Sequence, residues 1–281
     1  MIGRMDAAEN AAVNHSRVKA NIGSIVHLDK ERLLSGERSL DIRRLLEKRG
    51  VLIFPQIHFT DEEHIQFTRT LGGYVSDRPD GGTTNITIDP AAGASANYTK
   101  ASFFWHFDGY MNEVPILGSM LCCIAPSPEG GYTEFCNTYA AWEALPESRK
   151  SAIAGLRAIH AMAGAQLSVE PEPSYETFSE WLKVRHSELP LVWTHRSGRK
   201  SLVIGNTAVN VLGMHPLEGL ELLVWLRDWA TQERFRYSHA WSAGDAVLWD
   251  NTGTLHRATP YDHKLGRIMR RTKLAGEEPF E

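Results

Sequence analysis

Trp105-His106-Phe107-Asp108-Gly109-Tyr110 is the stretch from which the rest of the chain can be organised. Two imidazoles and one carboxylate can cap one face of an octahedral iron(II) ion and leave three positions open. In a strand, residues i and i+2 share a side, so His106 and Asp108 are expected to point at one metal. The third ligand then has to come from a distant strand folded back alongside. His256 is the candidate, because Trp249-Asp250-Asn251-Thr252-Gly253-Thr254-Leu255-His256 follows an apolar run that reads as a core strand.

A bare His-x-Asp or His-x-Glu is weak evidence. With 12 His and 34 acidic residues in 281, chance predicts about one or two such pairs, and three occur: His27-Leu28-Asp29, His106-Phe107-Asp108 and His186-Ser187-Glu188. The first sits near a polar N-terminus and the last in a charged, proline-bounded stretch, so both read as solvated surface. The middle pair follows Phe103-Phe104-Trp105, an apolar shell suited to restricting water around a reactive centre.

Composition is that of an ordinary soluble globular chain, 42% hydrophobic and 23% charged with a net charge of −4. That balance gives no electrostatic reason to expect nucleic acid or an anionic membrane as partner. Lys264, Arg267, Arg270, Arg271 and Lys273 gather late in the sequence, a cluster better matched to small organic anions than to a polyanion. Cys122, Cys123 and Cys136 suggest no disulfide framework and are expected to be small buried side chains. The N-terminus lacks the apolar core of a signal peptide, and the longest apolar stretch, residues 116–125, is half the length of a membrane span. A cytoplasmic protein is the expectation.

Along the chain, residues 1–20 are polar and expected to be a disordered tail, with a single domain over 21–281. Leu40, Ile42, Leu45 and Leu46 predict a helix over 39–49, stopped by Gly50. Val51 to Phe54 reads as a buried strand, and Thr60-Asp61-Glu62-Glu63 as a capping box opening a helix to about Leu71. Strands are expected near 85–89, 116–124, 132–137, 191–194, 201–205, 236–241, 245–249, 254–258 and 267–274. Short helices are expected over 139–145 and 147–156, and a long amphipathic one over 216–233 carrying Leu220, Leu223, Val224, Leu226 and Trp229. Residues 170–190 are Pro- and charge-rich, and 163–190 as a whole is expected to be an insertion or lid near the active site. Many short strands with a few helices predict one mainly β domain with flanking helices.

With these residues placed, the chain resembles the taurine dioxygenase / dichlorophenoxyacetate dioxygenase family of iron(II)- and 2-oxoglutarate-dependent oxygenases, from about Gly50 onward. The family's Trp-His-x-Asp is matched by Trp105 to Asp108, and its Gly-Gly-x-Thr by Gly130-Gly131-Tyr132-Thr133. Its Trp-Asp-Asn leading to the distal His is matched by Trp249-Asp250-Asn251 and His256, and its Arg-Ile-Met-x-Arg by Arg267 to Arg271. The resemblance implies a distorted double-stranded β-helix (a cupin-like jelly roll) with His106, Asp108 and His256 on Fe(II). It implies that Arg267 and Thr133 hold the far carboxylate of 2-oxoglutarate, a sensible use of a planar guanidinium. Arg271, four residues on and on the same strand face, becomes the candidate anchor for an acidic substrate, with Tyr98 and Phe104 nearby. The implied reaction consumes O2 and 2-oxoglutarate, releases succinate and CO2, and hydroxylates a C–H bond of a small organic acid (carboxylate or sulfonate), with possible C–O, C–N or C–S cleavage following. The presence of Asp108 argues against halogenation. Relatives are often dimers or tetramers.

The resemblance has gaps. The family commonly follows Trp-Asp-Asn with Arg where this chain has Thr252, so one supporting polar contact is expected to be absent. The segment 98–104 and the loop 73–80 match known substrate pockets poorly. His160, His195 and His239 read as satisfied core or surface histidines. Three other readings of the same residues stand beside the hydroxylase: oxidative desaturation or tailoring of a natural-product intermediate, a zinc hydrolase using the same three ligands, and a non-catalytic β-barrel binding protein.

Overall fold

Val51-Leu52-Ile53-Phe54 is buried at every position, the mark of a strand covered on both faces. The computed structural model describes residues 13–89, 91 and 99–280. Its strands are β1 (His15–Arg17), β2 (Ser24–Val26), β3 (Val51–Phe54), β4 (Tyr74–Val75), β5 (Thr84–Ile86), β6 (Gly118–Ala125), β7 (Thr133–Asn137) and β8 (Arg157–His160), followed by β9 (Ser187–Pro190), β10 (Val192–Thr194), β11 (Lys200–Leu202), β12 (Ala208–Val211), β13 (Arg236–His239), β14 (Ala246–Asp250), β15 (Thr254–Ala258) and β16 (Ile268–Leu274). An eight-stranded sheet runs β1-β2-β3-β14-β6-β16-β4, with β5 also on β16. Every pairing in it is antiparallel except β2 with β3. A second sheet, β13-β7-β15, supplies the opposing wall, and β12-β8-β9 and β10-β11 form smaller sheets. The expected β-rich chain with helices is the observed one.

Period-two alternation sorts the large sheet into two cores. Leu52, Phe54, Met120, Cys122, Ala246, Leu248 and Leu274 face the helices Ser39–Arg49 and Asp61–Leu71, which contribute Ile42, Leu45, Leu46, Phe67 and Leu71. Their neighbours Val51, Ile53, Leu121, Cys123, Val247, Trp249 and Met269 face inward and meet Phe135 from the second sheet and Trp241 from the loop after β13. A third core packs the helix Pro216–Ala230 through Leu223, Leu226 and Ala230 against Cys136, Leu255 and the small sheets.

Local signals explain the sharp boundaries. Thr60 Oγ1 accepts from the Glu63 amide while the Glu63 carboxylate accepts from the Thr60 amide, the reciprocal capping box. Gly50 ends its helix at φ 71°, donating to the Leu46 carbonyl. All three cysteines are free and buried.

Three expectations need correction. Residues 13–20 are not tail: His15–Arg17 pairs with β2, and the buried Arg49 guanidinium donates to the carbonyls of Lys19, Ala20 and Gly23. Residues 1–12 lie outside the described residues. Within 163–190, Ser187–Pro190 is a sheet strand paired to β8, while the helix Tyr175–Lys183 buries none of its residues. The long helix ends at Ala230, and its buried line is Gly219, Leu223, Leu226 and Ala230. Leu220 and Val224 are exposed, because a helix advances 100° per residue and the two fall off that stripe.

Candidate active site

The metal motif is held by main-chain contacts before any side chain is considered. His106 and His256 exchange two backbone hydrogen bonds, His106 N to His256 O at 3.1 Å and the reverse at 2.8 Å. His106 is therefore joined to β15 by a single bridge, and Asp108 lies beyond it in a turn with Gly109 at φ 85°. The expected regular strand through both ligands is absent; Asn251 does the work instead. Buried at 2% exposure, it accepts from the Asp108 amide at 2.8 Å and donates to the Asp108 carbonyl at 2.8 Å and the Ile116 carbonyl at 3.1 Å. Behind the motif, Asn206 N donates to the Trp105 carbonyl and its side chain to Ala101 O. Gly205 lets that loop approach: a Cβ there would lie 3.1 Å from Trp105 O.

His106, Asp108 and His256 converge, with one ligand atom from each all within 4.8 Å of one another. His106 Nε2 lies 3.9 Å from Asp108 Oδ1, and His256 Nε2 3.9 Å from Asp108 Oδ2. Those distances exceed hydrogen-bond reach but suit donors sharing a divalent ion, whose bonds run about 2.0–2.2 Å. His106 Nδ1 sits 2.8 Å from the Phe104 carbonyl, which fixes that nitrogen as the N–H and turns the Nε2 lone pair inward. Burial lowers the His256 pKa to about 3, keeping it a neutral ligand. Burial alone would raise the Asp108 pKa, but Arg271, His256, His106 and Lys273 together hold it at about 2. Two neutral imidazoles and one carboxylate are the donor set a divalent iron takes.

A cavity of about 70 Å³ opens beside these ligands, between the eight-stranded sheet and the sheet β13-β7-β15. Ile86, Leu121 and Arg271 come from one sheet, and Thr133, His256 and Arg257 from the other; Trp249, Ser102 and Tyr261 close it, and Arg267 reaches in. Arg267 follows the route its glycines allow. Gly130 and Gly131 have φ of 63° and 67°, and a Cβ on Gly131 would meet Arg267 Cδ at 3.0 Å. The guanidinium donates from Nε to Gly131 O and lies 4.7 Å over the Tyr261 ring. Burial lowers its pKa, with Tyr261 opposing. Thr133 Oγ1 accepts from Trp241 Nε1 at 3.0 Å, so its proton is left to donate into the cavity.

Arg271 lines the cavity as expected but is already engaged. Nη1 lies 3.4 Å from Asp108 Oδ2, and Nη2 donates to Asp77 Oδ2 at 3.0 Å. Phe104 is a correction: its half-exposed ring lines an outer groove with Trp105, Leu167, Val209 and Leu220, and only its carbonyl serves the site. Its own backbone is extended, directly after a 3-10 turn over Ala101–Phe103. Tyr98 lies outside the described residues. His195 pairs with Glu278 and Ser201, His239 with Tyr237 and Asp245, and His160 with Thr207, all away from the triad. The missing family arginine is offset locally, because Thr252 gives Asp250 Oδ1 both its amide and its hydroxyl.

Asn251, Trp241, Tyr261 and Asp77 carry site roles that sequence reasoning did not assign. Asn251 was visible within Trp-Asp-Asn; the other three have no local signal.

Comparison with known proteins agrees with this arrangement. Residues 14–273 match the family model described as taurine catabolism dioxygenase TauD, TfdA family. The chain is 33% identical over 262 residues to the alpha-ketoglutarate-dependent 2,4-dichlorophenoxyacetate dioxygenase of Cupriavidus pinatubonensis, covering 87% of this chain and 91% of that protein. It is 32% identical over 278 residues to the (S)-phenoxypropionate/alpha-ketoglutarate-dioxygenase of Sphingobium herbicidovorans, covering 93% and 94%. Among solved structures, AAD-2 in complex with Mn(II) and N-oxalylglycine superposes with a TM-score of 0.84 at 28% identity, over 96% of this chain and 99% of that one. The chain belongs to the TauD/TfdA family of iron(II)- and 2-oxoglutarate-dependent dioxygenases.

Proposed function

We propose that this dioxygenase hydroxylates a C–H bond of a small organic acid, a carboxylate or sulfonate with an apolar body. Where the attacked carbon bears oxygen, nitrogen or sulfur, cleavage of that bond follows. The observation that carries the reading is the convergence of His106, Asp108 and His256 beside a cavity bearing Thr133 and three arginines, Arg257, Arg267 and Arg271. Phenoxy acids, named for both curated relatives, fit the same description.

In this reading His106 Nε2, an Asp108 oxygen and His256 Nε2 hold Fe(II). The bound iron supplies dioxygen activation coupled to oxidative decarboxylation of 2-oxoglutarate to succinate and CO2. The protein's part is placement. Arg267 and the Thr133 hydroxyl grip the cosubstrate's distal carboxylate, with Trp241 fixing the hydroxyl and Tyr261 the guanidinium. Asn251 fixes the Asp108 main chain. Ile86, Leu121 and Trp249 present an apolar wall that limits water, and Arg271 receives the substrate's acidic group. Two sheets, antiparallel except for β2 with β3, face each other across the cavity and support the distorted double-stranded β-helix. Among the described residues no helix is long and apolar enough to cross a membrane.

The test is succinate release with iron(II), 2-oxoglutarate and oxygen over a panel of carboxylates, sulfonates and sulfate esters. Wild type should exceed its substrate-free rate with at least one compound, and His106→Ala should not. Anaerobic addition of iron(II) and 2-oxoglutarate should give a weak visible charge-transfer band that Arg267→Ala weakens. No stimulated compound and no band would refute the reading.

A further inference from the structure

We infer that Asp77 sets the charge of the substrate this site accepts, tuning it to a monoanion. The inference rests on the proposed acid-binding role of Arg271. Asp77 stands one guanidinium away from the metal ligands: Arg271 spans from Asp108 Oδ2 to Asp77 Oδ2. Lys273, on the same face of β16 two residues on, also pairs with Asp77, through Oδ1. The two cations are sheltered, Lys273 at 11% and Arg271 at 23% exposure, while Asp77 is 37% exposed.

Register brings them together. β16 sets Lys273 opposite Val75 and Arg271 opposite Thr84, so the loop between β4 and β5 has to pass over both cations. That loop is pinned by its own contacts. Tyr74 Oη donates to the carbonyls of Gly81 and Gly82, and Ser76 Oγ to Gly82 O. Asp77 is thereby delivered as a fixed partner. Burial acts to raise its pKa, yet Lys273 and Arg271 hold it below the ordinary carboxylate value.

Charge balance then decides the ligand. The Asp108 carboxylate is committed to the metal, Arg267 to the cosubstrate, and Arg257 is paired with Glu134. What remains at the substrate end is Arg271 and Lys273 against Asp77, one positive charge in excess. One carboxylate, sulfonate or sulfate monoester neutralises it. A dianion such as a phosphate monoester would turn that excess into one uncompensated negative charge beside the Asp77 carboxylate, and like charges so placed discriminate strongly. Asp77 acts through Arg271 and is a positioning residue with a specificity role.

The experiment measures calorimetric affinities of the manganese(II)- and 2-oxoglutarate-loaded protein for benzyl sulfate and benzyl phosphate. At about pH 8 the two ligands have one body but carry one and two charges, since a phosphate monoester loses its second proton near pH 6. Wild type should prefer the sulfate at least about tenfold. Asp77→Asn, of equal size, should reverse that preference, while Asp77→Glu should keep it. Lys273→Met, which removes the excess charge from the other side, should weaken sulfate binding about tenfold or more. An unchanged sulfate-to-phosphate ratio in Asp77→Asn, or a reversed one in Asp77→Glu, would overturn the inference and leave the acid anchor standing. Failure of every protein form to bind either ligand would refute the anionic substrate itself, and this inference with it.

Discussion

Replacing Asn251 with alanine should separate the stability of the fold from the integrity of the metal site. The side chain makes three hydrogen bonds to main-chain groups, at 2.8, 2.8 and 3.1 Å, in a position 2% exposed. Each contributes about 1 kcal/mol net, and an orphaned buried partner costs about 1–3 kcal/mol, so a loss of about 3–5 kcal/mol is expected. For a domain of this size 1 kcal/mol moves Tm by about 2–4 °C, which places the variant about 6 °C or more below wild type. Freed from Asn251, the Asp108 main chain no longer fixes its carboxylate, and manganese(II) affinity should fall about 10–100-fold, as for other groups that orient a ligand. The control is Leu226→Ala. Leu226 is fully buried in the helix Pro216–Ala230, and its truncation costs a similar about 2–5 kcal/mol without touching the triad. Calorimetric melting gives the first quantity and metal titration of the folded protein the second. If Asn251→Ala bound manganese as wild type does, or Leu226→Ala lost as much affinity, the positioning role would be wrong.

Two further outcomes follow from the packing and from the buried histidines. A methyl on Gly253 would sit 1.7 Å from Tyr139 Cε2, and that ring is trapped beneath the Arg199 guanidinium at 3.9 Å; Gly253→Ala should therefore lose soluble protein, and Gly253→Ala with Tyr139→Leu should regain part of it, as thermal melts would show. Burial lowers the pKa of His64 to about 3 and of His160 to about 4, against about 6.5 unfolded. The unfolded chain thus binds more protons below 6.5, so stability is full above that value and is lost as pH falls toward 4, by about 1.4 kcal/mol per pH unit for each histidine. Denaturant midpoints between pH 7 and 5 should show this slope, reduced in His64→Gln; an unaltered slope there would count against the assignment.

How far the sequence could be read depended on the range of the interactions involved. The helices Ser39–Arg49 and Asp61–Leu71 and the strands Val51–Phe54 and Thr254–Ala258 fall where expected, because glycine caps, the capping box and apolar runs are encoded within a few residues. The meeting of His106, Asp108 and His256, and of Thr133 and Arg267 on one cavity, was legible because these residues lie in recognisable motifs. Phe104 was misplaced because closeness in sequence to His106 does not say which of two neighbouring grooves its ring lines. Leu220 and Val224 were assigned to a buried face that curves away from them. Asp77 was invisible, since its meeting with Arg271 depends on the registers of β4 and β5 against β16, contacts almost 200 positions apart that no short window contains.

The paired backbone hydrogen bonds between His106 and His256 have a consequence for biogenesis. A nascent chain that carries His106 and Asp108 but not yet β15 owns two of three ligands and no frame to align them. Iron captured then would be held loosely and exposed to oxidation. Because the frame closes through main-chain groups, it assembles whether or not metal is present, and a ligand variant such as His256→Ala should retain it.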